Sequence, residues 1–409
     1  VITQEVFKSK GAGEGFRRFR IGETGAPLRV LWMEDMVHLQ PFQAANKTAT
    51  FGLRKGEPTR YPVPVVEWRR KRGVGRIAPT STIAEVEAST ERERVQAVPV
   101  DTARAVSSWQ TASKQNLRAM EALKGANPYK AHLGARVEPY GVFWLNVIQQ
   151  RPDRILVVEN QFDRGKRKIE KVRDAIEPDL VYPAVSGGDL ARYGIKSNFH
   201  VLLAQDPATR KGFDEEWLST NLALTYAYLV QFKKELVSRA AYQKYFYKET
   251  RKGSRVEREP IAPFYSMYNI SQHSFARYRV AWKRMAQGMS ATVLSTLRTP
   301  YGSKTVVATD TTSFIVATSR AEAHYLCAVL NSDVVDEYIR SFSSGGRGFG
   351  APSVVQNLAI PRFDESDRTH RELLALSEDA HRRVERGEAI TDIDQKVNQA
   401  VRALWNINS

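Results

Sequence analysis

The chain has 409 residues, 42% hydrophobic and 26% charged, which is enough for two or three domains and excludes wholesale disorder. Lys and Arg number 61 against 45 Asp and Glu, a net charge of +16, and a field of that sign attracts polyanions such as duplex DNA or RNA. The single cysteine, Cys327, excludes an internal disulfide and a thiolate metal cluster, and no run of about 18 apolar residues is present to span a membrane.

Residues 1–65 read as the end of an α/β domain. Leu28–Trp32 and Ala49–Leu53 are short apolar runs that predict buried strands, and prolines at 58, 62 and 64 stop regular structure. Residues 66–128 are poor in large aliphatics and predict a helical connector ending at Gly125. Residues 129–365 mix strands and helices. Strands are predicted at 141–148, 154–159, 198–204, 277–282, 291–297 and 313–317, with a turn at Gly165. Asp214 caps one long amphipathic helix, and Ser319 precedes another at 321–330. Residues 366–409 predict two helices separated at Gly387.

The charge is unevenly spread. From Asp367 to Ser409 there are 7 basic and 8 acidic residues, a net of −1, so the excess lies in the first 366. Arg69-Arg70-Lys71-Arg72, Arg164 to Lys168 and Arg251 to Arg258 carry much of it. Basic residues interleaved with aromatics recur at Tyr129-Lys130, Arg192-Tyr193, Arg277-Tyr278-Arg279 and Trp282-Lys283-Arg284. Each pair alone reads as a solvated strand face, but together with the charge they point to a nucleic-acid surface. Ser343 to Gly350 is glycine-rich, with Arg347 and Phe349 available to a phosphate backbone.

Other motifs carry little chemistry. Gly11 to Gly15 is followed by a basic, turn-rich stretch and reads as a loop, not a cofactor cradle. Asn127-Pro128-Tyr129 lacks the second proline of an amino-methyltransferase tetrapeptide and reads as a turn. The seven histidines are scattered without zinc-ligand spacing, and no paired acidic nuclease motif stands out. Cys327 lies in an apolar stretch and reads as core.

PFQAANKTATFGLRKGEPTRYPV at 41–63, NPYKAHLGARVEPYGVFWL at 127–145, EAHYLCAVLNSDVVDEYIRSF at 322–342 and GGRGFGAPSVVQNLAIPRFD at 345–364 occur in unbroken order. With ARYRVAWKRM and the closing IDQKVNQAVRALW, they resemble the C-terminal part of gamma-type N6-adenine DNA methyltransferases of restriction–modification systems. The resemblance implies a mixed α/β fold: the end of a Rossmann-like methyltransferase core (1–65), the connector (66–128), an α+β target-recognition domain (129–365) and a C-terminal helical segment (366–409). It implies S-adenosylmethionine as cofactor, double-stranded DNA as partner and an adenine flipped from the helix. Phe42 would stack on that base, with Asn46, Lys47 and Thr48 along the same edge. Taken alone, Phe42 reads as a core residue before it reads as a stacking plate.

The DNA-binding set expected from these readings is Arg69, Arg70, Lys71, Arg72, Tyr129, Lys130, Arg136, Arg164, Lys166, Arg167, Lys168, Arg192, Arg279, Lys283, Arg284, Arg347 and Phe349. His132 stands where the family pattern would have Arg. The cofactor loop and catalytic tetrapeptide are absent, and the opening VITQEVF reads as mid-domain sequence. The chain is therefore expected to be a cytoplasmic fragment whose methyl-transfer residues lie upstream, with restriction or defence-system subunits as further partners. Two other readings stay open: a recognition module of a fused restriction endonuclease–methyltransferase, and a non-catalytic nucleic-acid-binding protein.

Overall fold

The computed structural model describes residues 2–3, 5–8, 13–22, 25–39, 48–252, 255–343, 346–347 and 349–407. The fold is mixed α/β, as the sequence predicts, and divides into two compact units. The first holds 1–125, 334–349 and 402–409; the second holds 126–333 and 350–401.

The first unit is built on a six-stranded sheet, in the order Ile2–Thr3, Thr48–Lys55, Leu28–Asp35, Val63–Arg70, Thr90–Pro99, Trp109–Ala112. Leu28–Asp35 and Val63–Arg70 run parallel; the other neighbours are antiparallel. Alternate residues point to one face, so Val63 and Val65 reach the core with Val95 and Ala97 from the next strand. Phe7 closes this core, with its ring centroid 4.7 Å from Trp109 and 5.4 Å from Phe51. Arg17 is buried beneath it and donates to the Val6 and Val106 carbonyls at 2.6 and 2.8 Å.

The stretch 66–128 is not a helical connector. Helix Ile83–Ser89 starts at a Thr82 capping box, but the chain then runs straight into strand Thr90–Pro99. Its Glu and Arg residues favour helix by propensity. The alternation ending in buried Val95, Ala97 and Pro99 has a period of two, and pairing on both edges of the strand settles the matter.

The second unit contains two principal sheets. One has the order Arg173–Ile176, Leu156–Asn160, Trp144–Gln150, His200–Leu202, Val181–Val185, Val307–Ala308, parallel only at its last pair. The other is antiparallel, in the order Ala291–Leu294, Tyr278–Lys283, Thr312–Ala317, Ala131–Leu133. Asp214 caps its helix by accepting from Trp217 N at 3.0 Å. That helix is not continuous. It breaks into Glu215–Asn221, Ala223–Gln231, Lys233–Val237 and Ala240–Tyr245, with non-helical backbone at Leu222, Phe232 and Arg239. Breaking it lets Leu218, Leu229, Leu236 and Tyr242 all reach one core, which a straight rod could not serve.

Helix Arg320–Leu330, capped by Ser319, is buried from Ala323 to Leu330. Helix Arg368–Glu385 packs on it and ends at Gly387, whose φ of +74° suits a glycine. The C-terminal helices up to Val401 thus belong to the second unit and are not a separate piece, while 334–349 belongs to the first. Cys327 is fully buried, and burial pushes its thiol up to about 12, so it is a core residue without thiolate character.

His324 sits between the two packed helices, 5% exposed, with Nδ1 3.1 Å from the Ser377 hydroxyl. Burial, then the neighbouring His381, Arg320 and Arg382, lowers its pKa from 6.5 to about 3. The unfolded chain therefore takes up this proton first. The stability gained by keeping the ring neutral is complete above pH 6.5 and is lost as pH falls toward 3, at up to about 1.4 kcal/mol per pH unit. Urea unfolding midpoints should fall between pH 7 and pH 5, and His324→Gln should flatten that dependence. An equal slope in the variant would remove His324 as its source.

Candidate nucleic-acid interface

The basic segment 161–171 carries five cations and two acids and is a loop of the second unit. It joins antiparallel strands Leu156–Asn160 and Arg173–Ile176. Asn160, 1% exposed, clamps both ends. Its amide donates to the Gly141 carbonyl at 2.7 Å and the Glu170 carbonyl at 2.8 Å, and its oxygen accepts from Val172 N at 2.8 Å. Ile169 is buried, Gly165 takes a φ of +88°, and Arg167 donates to the Glu235 carbonyl and the Ser238 hydroxyl at 3.1 Å each. These anchors leave Arg164, Lys166 and Lys168 exposed. Lys166 and Lys168 make no ion pair among the described residues.

A second group lies beside this loop. Tyr140, which packs on Gly165, donates to the Asp310 carboxylate at 3.0 Å, and Arg284 donates to the Asp310 carbonyl at 2.6 Å. Burial raises the Asp310 pKa. Arg136 pairs with Glu138 at 2.9 Å and donates to the Tyr268 hydroxyl. The Tyr268 ring packs on Tyr245 at a tilt of 30°, centroids 4.8 Å apart, and Lys244 lies 5.2 Å from the Tyr245 centroid. Tyr245 is 47% exposed, so the ladder Lys244–Tyr245–Tyr268–Arg136 presents a flat ring between two cations. Such an arrangement can stack on a base or cover a sugar–phosphate run.

One buried guanidinium organises this group. Arg239 donates to the carbonyls of Leu236 (2.8 Å), Glu138 (3.1 Å), Phe264 (2.7 Å) and Ser266 (3.0 Å). It joins a helix end to the segments that carry Arg136 and Tyr268. Burial lowers its pKa to about 10, still charged at neutral pH. No carboxylate pairs with it among the described residues; carbonyl dipoles replace its water.

Several expected contacts are corrected. Arg279 is fully buried, donating to the Ser274 and Val306 carbonyls, and burial lowers its pKa to about 9. Tyr129 is buried, its hydroxyl accepting from Phe363 N at 2.7 Å, and burial raises its pKa to about 12. Phe349 is 1% exposed. None of the three can meet a nucleic acid on the surface. Gly350 beside it packs so closely on strand Tyr278–Lys283 that a Cβ would lie 1.9 Å from the Lys283 carbonyl oxygen. Arg192 is held at 2.7 Å by Asp394 and at 2.8 Å by the Asn331 carbonyl. Lys283 is half-buried, while Lys130 is exposed.

The Arg69–Arg72 run is in the first unit. Arg69 pairs with Glu67 at 2.9 Å, Arg70 is half-buried, and Lys71 and Arg72 are exposed. Thr48 is buried at the start of its strand. Phe42, Asn46, Lys47 and the Arg347 side chain lie outside the described residues. Gly13 caps helix Glu14–Arg17, which follows helix Glu5–Lys8 and not a strand. Gly11 and Ala12 of the glycine-rich stretch lie outside the described residues. The ladder residues Lys244, Tyr245 and Tyr268 were not singled out from sequence. The only hint is the alternation of rings and lysines in Tyr242 to Lys248.

No family model matches the chain, and no curated protein does. Among solved structures, the Type IIL restriction-modification enzyme MmeI in complex with DNA is similar over 93% of this chain and 44% of that one, at 9% identity and a TM-score of 0.46. The type IIG restriction endonuclease BpuSI is similar over 99% of this chain and 46% of that one, at 13% identity and a TM-score of 0.35. The chain spans under half the length of either.

Arg239→Met should lower stability by about 3 kcal/mol, since the carbonyls it leaves are buried. Tyr245→Ala, at an exposed ring, should change it by under about 0.5 kcal/mol. Denaturant titration of both variants checks the contrast; equal losses would show that the ladder is part of the core.

Proposed function

We propose that this chain docks on duplex DNA through its second unit, as the recognition part of a restriction–modification or phage-defence enzyme. The observation that supports this best is the pinned loop at 161–171. Its backbone is fixed by Asn160, Arg167 and Ile169, while Arg164, Lys166 and Lys168 are left facing solvent. A fixed array of exposed cations suits a phosphate backbone, where each neutralised phosphate releases counterions. The aromatic ladder beside it adds a stacking surface.

The finer reading is methylation of adenine N6 with S-adenosylmethionine as donor, and it rests on the sequence resemblance. The cofactor would be held outside the residues described here, and Phe42 would stack on the extruded base.

Fluorescence anisotropy of a labelled duplex between 50 and 200 mM salt tests the docking. Affinity should fall steeply, and Lys166→Ala and Lys168→Ala should each flatten the log–log salt slope by about 1. Salt-independent binding, or none, would overturn it. In the methylating protein that carries this chain, Phe42→Ala should slow methylation about tenfold, as expected for losing a base-stacking contact, with DNA affinity retained. Unchanged methylation would remove the role assigned to Phe42.

A further inference from the structure

Strands Tyr247–Lys252 and Arg255–Pro260 form an antiparallel ribbon that pairs only with itself among the described residues. Its root is fixed. Tyr247 packs edge-on against Tyr242, centroids 5.6 Å apart; Ile261 N donates to the Phe246 carbonyl at 2.8 Å; Arg258 donates to the Gln243 carbonyl at 3.0 Å. Beyond the root the shaft is open. Lys248, Glu249, Arg251, Val256 and Glu259 are exposed, Val256 by 49%. An isolated two-stranded ribbon is marginal in water, so a projecting one on a rigid root is well placed to be ordered by a partner.

The register sorts its side chains. Lys248 opposite Glu259 and Thr250 opposite Glu257 share one face; Glu249 opposite Arg258 and Arg251 opposite Val256 share the other. Segment 247–260 holds five cations and three carboxylates, a net of +2. The ion pair Arg258–Glu249, at 3.1 Å, stiffens the shaft. Six residue pairs at about 3.4 Å per residue give a ribbon about 20 Å long. Such a ribbon fits the DNA major groove, about 12 Å wide.

We infer that this ribbon enters the major groove of duplex DNA and supplies base discrimination, while the loop at 161–171 supplies sequence-blind phosphate contacts. The inference rests on the DNA docking proposed above. The face that carries Arg251 and Val256 side by side presents what base edges require: Arg251 as a donor fork for guanine and Val256 as an apolar contact for the thymine methyl. The Tyr245 ring adjoins the ribbon root by sequence, so the surface runs from ladder to ribbon without a break in the chain.

The test is selection by the chain from a randomised duplex library, followed by dimethyl sulfate footprinting of guanine N7 on the enriched duplex. The wild-type chain should enrich a motif and protect guanine N7. Arg251→Ala and Val256→Ala, both on exposed shaft positions, should each cut the preference for that motif over random duplex about tenfold, the worth of one good base contact. Their affinity for random duplex should change less than about threefold, and Arg251→Ala should lose the N7 protection. Lys166→Ala should weaken both duplexes alike. Enrichment that survives both ribbon variants, or binding without any sequence preference, overturns base reading by the ribbon and leaves docking standing. A wild-type chain that binds no duplex overturns both.

Discussion

The proposed interface depends on a buried charge that no carboxylate pairs with directly among the described residues. Arg239 has lost its water and has four backbone carbonyls in return, from three separate stretches of chain. A lysine could not do this, because a planar fork is needed to reach acceptors on several sides at once. The arrangement fixes Glu138, and with it the orientation of Arg136, against the segment that ends in Tyr268. Asn160 does the same for the basic loop with a neutral amide. In both places a buried polar side chain holds irregular backbone rigid, so that the exposed groups beside it are ordered before any partner arrives.

Local signals in the sequence translated well. Asp214 and Ser319 cap helices with the hydrogen bonds their chemistry suggests. Gly165 and Gly387 turn the chain with positive φ. What failed was any reading that required knowing the other side of an element. Arg277-Tyr278-Arg279 looks like a basic face, yet strand Tyr278–Lys283 lies between two sheet neighbours with helix Arg320–Leu330 against it. Residues 279 to 282 are therefore all buried, and Arg279 must find carbonyls inside. Likewise Thr90–Pro99 carries a helix-favouring composition on a strand whose neighbours decide its state.

The same blindness hid the ladder. Tyr245 and Tyr268 are 23 positions apart and meet only because the helix of Ala240–Tyr245 ends where the segment held by Arg239 passes. Beyond the alternation of rings and lysines in Tyr242 to Lys248, nothing in either local sequence announces the contact. Conversely, Arg164 to Lys168 was legible because exposure of a charged turn needs no partner to predict it. Long-range pairing, not propensity, separates the cations available to a ligand from those the fold consumes.

That separation also argues for a division of labour on the second unit. Lys166 and Lys168 are compact charges on a loop with no carboxylate paired to them among the described residues, and such groups attract every phosphate equally. The ribbon differs in kind. Two of its cations, Lys248 and Arg258, lie opposite glutamates in a fixed register, so its net attraction for a polyanion is small for the number of charges it carries. A surface built only to hold a phosphate backbone would gain nothing from Glu249, Glu257 and Glu259. A surface that must distinguish donors from acceptors at base edges needs both signs on a rigid frame, and an ion-paired ribbon on an aromatic root provides that frame.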